Sequence, residues 1–369
     1  MPTFKEKDAI YTYHFYHLLQ RAKTIYLIYN SDSQGFDSGE KSRFITQLEV
    51  EKLPNHNLTF QYYNPDVPNI AHQSIVVPKT ESVMVRLREI AEKGFSPSSL
   101  TTYIRSPIQF YFQRILRISE TDEVEENIAV NTLGTIIHGA LEELYRPFIG
   151  RILTVDDIKI CISKIDAEVL NQFKKVYKEG EIKKGRNLLA FEVAKRNVLN
   201  FMKLELQNLE NGDEIQIIAL EADLSRTLEH ESLPFPIKIA GKVDRIEWRS
   251  KKGESSKIRI IDYKTGKVEQ KNVTLKDWNG LTEDIKNEKI IQVLAYAFMY
   301  EEQAKGQEMQ AGIISFKNLK SGFLPFQFKP NKEVLDTISP EIMENYLAQI
   351  VILIKEILNV DIPFEEKII

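Results

Sequence analysis

Ala240-Gly-Lys-Val-Asp244-Arg-Ile-Glu247 and Ile258-Arg-Ile-Ile-Asp262-Tyr-Lys264-Thr-Gly266 decide how this chain is read. Both stretches alternate in the manner of strands, and Arg249-Ser-Lys-Lys-Gly-Glu-Ser-Ser256 between them has the composition of a polar hairpin loop. Side chains alternate faces along a strand, so Asp262 and Lys264 share one. With the hairpin centred near Gly253, Asp244 and Asp262 lie equally far from the centre and face one another, their Cβ atoms roughly 5 Å apart. Two carboxylates so placed repel unless something positive lies between them. A hard divalent cation such as Mg²⁺ or Mn²⁺, which prefers oxygen donors, resolves the conflict. Lys264 adds a compact positive donor where a phosphate and its attacking water could be held. Ile258-Arg-Ile-Ile reads as a buried strand, and ionisable groups at the end of such a strand need partners.

Outward from the hairpin, Glu214–Asp223 reads as a further strand, giving three with Ile237–Arg249 and Lys257–Lys264. Glu221 on the first of them is an acidic neighbour of the pair. Ile285–Ala304 has helical spacing, with Lys289, Gln292 and Tyr296 on one face. Neutral donors beside a lysine are a common way to hold a phosphate backbone. Ala311–Phe316 is strand-like and Glu341–Leu358 a closing helix. Upstream, helices run to about Leu209 with a break near Gly180–Lys184. Ser96-Pro97 is a cap followed by a first-turn proline. In Leu133-Gly-Thr-Ile-Ile-His138-Gly-Ala-Leu-Glu-Glu-Leu-Tyr145, His138 borders an apolar helix face, and Gly134 one turn earlier leaves room for another backbone. Before residue 78 the pattern is helix (Ile10–Ala22), strand (Thr24–Tyr29), polar loop (30–39), helix (about Lys41–Lys52), strand (Leu58–Tyr63) and a proline-bearing linker (64–79). The expected domains are therefore 1–78 and 79–369, in an α/β arrangement.

The 369 residues carry a net charge of −4, so nucleic-acid binding would need a local basic surface and not a basic chain. The single cysteine, Cys161, excludes an internal disulfide framework and any four-cysteine site built by this chain, and reads as a small buried hydrophobe. No uncharged run reaches the ~20 residues of a membrane span, so no membrane partner and a cytoplasmic location are expected. Gly35-Phe-Asp-Ser-Gly39-Glu-Lys41-Ser42 is not a phosphate loop: three residues separate the glycines where four are required, and Glu40 parts Gly39 from Lys41.

Taken in order, Gly134-Thr-Ile-Ile-His138, Gly241-Lys-Val-Asp244-Arg, Asp262-Tyr-Lys264-Thr-Gly and Gln292-x-x-x-Tyr296 resemble the RecB-like nucleases of the PD-(D/E)XK superfamily, over about residues 95–320. The resemblance implies a restriction-endonuclease-like mixed sheet flanked by helices. It implies that His138, Asp244, Asp262 and the Tyr263 carbonyl bind Mg²⁺ or Mn²⁺. By the same resemblance Lys264 orients or activates the water and Gln292 and Tyr296 complete the catalytic set; the helix-face pattern makes Lys289, with Gln292 and Tyr296, the expected DNA contacts. Ser96-Pro-Ser-Ser-Leu-Thr-Thr-Tyr-Ile-Arg-Ser-Pro-Ile-Gln-Phe-Tyr-Phe resembles the opening of the nuclease domain in AddB-type double-strand-break repair proteins. Many of those carry a cluster-ligating cysteine before the proline. Here Ser106 stands in its place, so no iron–sulfur cluster is expected and ordinary packing must do the stapling. Phe15-Tyr-His-Leu-Leu-Gln-Arg21-Ala-Lys-Thr-Ile-Tyr-Leu-Ile-Tyr29 resembles the last signature motif of superfamily 1 helicases, which would make 1–78 a small helicase-like α/β remnant. The resemblance thus implies a metal-dependent deoxyribonuclease, an exonuclease by preference, that works with a helicase or nuclease partner subunit in repair or recombination. Two alternatives stay open at this level: a catalytically silent DNA-end-binding or scaffold subunit, and a hydrolase of small phosphoesters.

Overall fold

The computed structural model describes residues 4–29, 41–52, 54, 56–63, 73–118, 128–177, 184–251, 253, 255–331 and 333–367. They fall into two compact units, Met1–His72 and Gln73–Ile369, a division six residues before the one expected from composition. The first holds helices α1 (Phe4–Leu19) and α2 (Arg43–Glu51), the latter capped by Ser42. Thr24–Tyr29 and Leu58–Tyr63, expected as strands, form none. Tyr26 and Ile28 are 85% and 94% exposed, Tyr62 and Tyr63 89% and 85%, so the expectation of a buried strand fails. β-type composition records a fit to a half-buried pleated surface, and among the described residues no neighbouring strand supplies that surface. The loop at 30–39 and most of the linker lie outside the described residues.

The second unit opens with β1 (Val76–Val77), α3 (Glu81–Lys93), α4 (Pro97–Arg105) and α5 (Pro107–Phe110), which runs on into a π-type turn at Tyr111–Ile115. Ser96 caps α4 as its sequence suggests, its Oγ accepting from the Ser99 amide at 3.1 Å with Pro97 in the first turn. Ser106 repeats the device for α5, accepting from the Gln109 amide at 3.2 Å. Then come α6 (Val130–Tyr145), α7 (Val155–Tyr177) and α8 (Gly185–Glu210); the expected break at 180–184 lies almost wholly outside the described residues. Strands β2 (Glu214–Leu228), β3 (Ile237–Ser250) and β4 (Lys257–Lys264) follow, with β2 five residues longer than its alternation suggests. The remainder is β5 (Thr274–Leu275), α9 (Glu288–Ala304), β6 (Met309–Ser315), β7 (Phe323–Pro325), β8 (Gln327–Phe328), α10 (Pro340–Leu358) and β9 (Phe364–Glu365).

Five strands form one mixed sheet in the order β2-β3-β4-β6-β7, parallel only between β4 and β6. A parallel pair needs a crossover, and α9 supplies it. Alternation along β4 divides the core. Ile258 and Ile260 pack with residues of α3, α4, α9 and α10, while Ile261 and Tyr263 pack with those of α6, α7 and α8. This is the helix-flanked mixed α/β sheet that the resemblance implies.

Two short strands close the second unit on itself. Val76 pairs with Glu365 and Val77 with Phe364, antiparallel. The Phe364 ring lies 5.3 Å from Tyr111, 6.2 Å from Phe110 and 6.4 Å from Tyr103. Lys79 sits 5.0 Å over the same ring and donates to the Glu356 and Asn359 carbonyls, each at 3.0 Å. Lys367 donates to the Ile104 carbonyl at 2.6 Å. An aromatic clasp thus joins the opening helices to the C-terminal strand, beside the cap formed by Ser106.

Candidate active site

The β3–β4 ladder ends with Arg245 opposite Ile261, so the next rung sets Asp244 opposite Asp262, in the register that the hairpin centre at Gly253 suggests. Each carboxylate has one oxygen held by a hydrogen bond and the other set against a basic side chain. The Tyr263 amide donates to Asp244 Oδ2 at 2.6 Å, and Asp244 Oδ1 lies 3.4 Å from His138 Nδ1. Gln292 Nε2 donates to Asp262 Oδ1 at 3.0 Å and to the Tyr296 hydroxyl at 2.9 Å. Lys264 Nζ is 2.7 Å from Asp262 Oδ2, an ion pair at an angle that makes no aligned hydrogen bond, so that buried oxygen keeps free acceptor capacity. His138 reaches the hairpin from α6 in one helical layer, and Gln292 and Tyr296 from α9 in the other.

Glu221 completes the cluster. It lies in β2 between the pairs Leu220–Arg245 and Ala222–Val243, hence across from Asp244. Its φ is +46°, a left-handed conformation that costs a non-glycine residue on the order of 1–3 kcal/mol and concentrates at functional sites. Ligand atoms of His138, Glu221 and Asp244 all lie within 4.8 Å of one another. Sequence placed Glu221 only as a neighbour, because alternation alone does not foresee a twist of one residue inside a strand. Lys242 Nζ, 3.1 Å from Glu221 Oε2, was missed, although alternation puts it on the face of Asp244.

Burial and like charge set the ionisation of the cluster. Burial raises the Asp262 carboxyl, Lys264 opposes and Asp244 adds to it, leaving the group at about 6. Glu221 is also raised, by burial and then by Asp244. Burial pulls the His138 ring down, but its hydrogen bond to Asp244 and the charges of Asp244, Asp262 and Glu221 outweigh that, so the ring holds its proton above the usual range. Lys264 is likewise lowered by burial and raised further by Asp262. Two carboxyls raised by burial and like charge, Asp262 and Glu221, gathered beside Asp244 and one of them with an oxygen short of partners, fit a divalent cation, and His138 adds a nitrogen donor. The Tyr263 carbonyl, expected as a ligand, belongs to the residue whose amide holds Asp244, on the strand next to β6.

A cleft of about 400 Å³ opens beside the cluster, lined by Ser98, Thr101, Lys264, Lys267, Lys289 and Gln292 among others. Lys289 therefore shares a surface with Gln292, though its Nζ is paired with Glu288 at 2.9 Å. Gly241 matters for closing this side of the site. A Cβ there would meet Pro97 Cδ at 3.0 Å and Tyr296 at 3.5 Å, so the glycine lets α4 and α9 press on β3. Gly134 differs from expectation: what approaches it is the Thr265 side chain, at 3.5 Å, and not a backbone.

Behind the site, on the opposite sheet face, Arg245 is wholly buried, 2.8 Å from Glu205 and 2.5 Å from Glu247. Arg249 pairs with Asp213 at 2.6 Å. These pairs lock the strand residue that follows Asp244, and truncating one partner would leave an uncompensated buried charge. Cys161 is buried with its thiol pushed up to about 12 by desolvation, which suits an inert packing residue. No helix among the described residues is long and apolar enough to cross a membrane.

Comparison with known proteins agrees with this geometry. Similar proteins include uncharacterised proteins of Rickettsia felis (28% identity over 184 residues, 48% of this chain and 19% of that one) and Rickettsia bellii (24% over 208 residues, 53% and 22%). A third, from Rickettsia conorii, is 27% identical over 184 residues, 48% of this chain and 19% of the relative. The chain spans about a fifth of the length of these relatives. The sequence model of the PD-(D/E)XK nuclease superfamily matches residues 94–367, which takes in the whole sheet, the cluster and the clasp strand β9. With that match over well over half its length, and an Asp-Asp-Lys hairpin at its centre, the chain belongs to the PD-(D/E)XK nuclease superfamily.

Proposed function

We propose that this chain is a DNA nuclease of the RecB/AddB type, hydrolysing phosphodiester bonds with Mg²⁺ or Mn²⁺, and acting as an exonuclease within a helicase–nuclease of double-strand-break repair or recombination. The observation that carries the reading is the pair of opposed carboxylates, Asp244 and Asp262, each with one oxygen held by a hydrogen bond and the other facing a cationic or basic side chain, His138 or Lys264. Nucleases of this superfamily use divalent metal ions, and such an ion supplies Lewis acidity and charge neutralisation at the scissile phosphate. His138, Glu221, Asp244 and Asp262 would hold it. Gln292 and the Tyr263 amide keep the two aspartates in position, and burial keeps Tyr296 a neutral phenol. Lys264, poised next to Asp262, orients water and phosphate, while Lys289 and Gln292 border the cleft that would receive the DNA backbone.

Residues 1–78 are assigned to the end of a helicase-like domain and 79–369 to the nuclease. Two apolar, β-type segments left exposed at Thr24–Tyr29 and Leu58–Tyr63 support this, since such sequences suit a sheet completed from elsewhere. Relatives about five times longer than the matched region also support it.

The deciding experiment is cleavage of linear DNA in Mg²⁺ by wild type and Asp262→Ala, with a binding isotherm in EDTA and a thermal melt. We expect loss of cleavage on the order of 10²–10³-fold or more, with DNA binding and folding retained. Near wild-type cleavage by a well-folded Asp262→Ala protein would falsify the assignment.

A further inference from the structure

Lys242 lies two residues before Asp244 on β3 and so projects from the same sheet face. Its ammonium is 3.1 Å from Glu221 Oε2, an oxygen of the acidic cluster. Glu221 is held: its side chain is 17% exposed and its backbone is twisted to φ +46°. Lys242 is tied only through that ion pair, with a side chain 54% exposed on a four-carbon stem. Lys264 is the opposite case, 31% exposed and 2.7 Å from an Asp262 carboxylate that is 5% exposed. The cluster thus has a mostly buried lysine on one flank and a mostly exposed one on the other.

We propose that Lys242 is a tethered counter-ion: it neutralises Glu221 while the site lacks a divalent cation, and turns to a DNA phosphate once the cation is bound. The inference rests on the nuclease reading. One carboxylate oxygen cannot serve an ammonium and a metal equally well, and a dication brought beside Lys242 repels it. Glu142 and Asp223 also attract its ammonium, and a DNA phosphate entering beside the cation is the further anion to which it would turn. Metal and DNA affinities are therefore coupled through this residue, and each tightens the other by the same factor.

The test compares wild type, Lys242→Ala and Lys242→Arg in three measurements: Mn²⁺ affinity by electron paramagnetic resonance without DNA, steady-state cleavage of linear DNA at saturating Mn²⁺, and the salt dependence of kcat/KM. Lys242→Ala should bind Mn²⁺ roughly three- to tenfold more tightly, because a competing positive charge has gone. Its KM for DNA should rise roughly three- to tenfold, with the smaller share of the loss in kcat, and its salt slope should become shallower by about 0.7–0.9, the equivalent of one phosphate contact. Lys242→Arg should keep the wild-type slope. A purely structural lysine would leave Mn²⁺ affinity unchanged or weaker on removal, and that result overturns the proposal, as does an unchanged KM and salt slope. If wild type itself neither binds Mn²⁺ nor cuts DNA, the nuclease reading falls and takes this inference with it.

Discussion

Asp262 carries a cost in the metal-free fold, because its carboxyl ionises near 6 where an ordinary aspartate ionises near 3.8. The folded state therefore binds more protons than the unfolded chain between those two values. Its contribution to stability is greatest below 3.8 and falls as pH rises through about 6, above which the whole penalty persists. Asp262→Asn removes the ionisable group. In EDTA at pH 8 we expect it to raise stability by about 1–3 kcal/mol, a gain that disappears near pH 4, while cleavage in Mg²⁺ is lost. Urea melts of both proteins at the two pH values read this directly, and a destabilised Asn variant at pH 8 would contradict it. His138→Ala leaves three carboxylates in place, so its defect should lie mainly in metal affinity and be partly restored by excess Mn²⁺. Unchanged activity at limiting metal would return His138 to a packing role. At this scale the hairpin was legible: alternation and a centre at Gly253 suffice to pair Asp244 with Asp262. Lys242 and the twist at Glu221 were not, since spacing says which face a side chain takes but not how far its stem reaches or where a strand kinks.

The clasp is an element whose contacts come from residues 76–111 and 356–367, a separation at which no local pattern can pair them. Sequence indicated that Ser106 needed a substitute for a staple. It did not reveal that Phe364 provides one, because a lone phenylalanine in a two-residue strand has no periodicity. Phe364 is wholly buried among Tyr103, Phe110 and Tyr111. Phe364→Ala should cost about 3–5 kcal/mol and lower the melting temperature accordingly; a change below 1 kcal/mol would show that the aromatic cluster does not hold the ends. Lys79 gives the same element a pH signature. Burial lowers its ammonium from 10.5 to about 8, so between those values the unfolded chain binds more protons and stability rises with pH. That upward slope should be missing in Lys79→Met, measured as unfolding free energy from pH 7 to 10.5. The strands proposed at Thr24–Tyr29 and Leu58–Tyr63 teach the converse lesson: local composition reads as β, but only a neighbouring strand makes it so.

At the scale of the molecule, the second unit has its own two-layer core, and residues 73–369 expressed alone should melt within about 2 °C of the longer chain and bind Mn²⁺ as well. A fragment that aggregates or loses its Mn²⁺ site would show that the first unit is needed to complete it. From β2 onward the long, regularly patterned elements were legible in order, and the region before them was legible as helical; the shorter pieces, β1, β5, β7, β8 and β9, were not. One of those short pieces governs how the unit would respond to being pulled. Val76 lies beside Glu365 and Val77 beside Phe364, so the chain enters and leaves at the same end of the β1–β9 ribbon. Tension applied across those two points loads one rung at a time, as a zipper is opened, and never both rungs together. The seam should therefore part at low force, peeling Phe364 from its aromatic socket while the five-stranded sheet and its carboxylates stay intact. A force-extension trace should show this as a small early rip ahead of the main unfolding event.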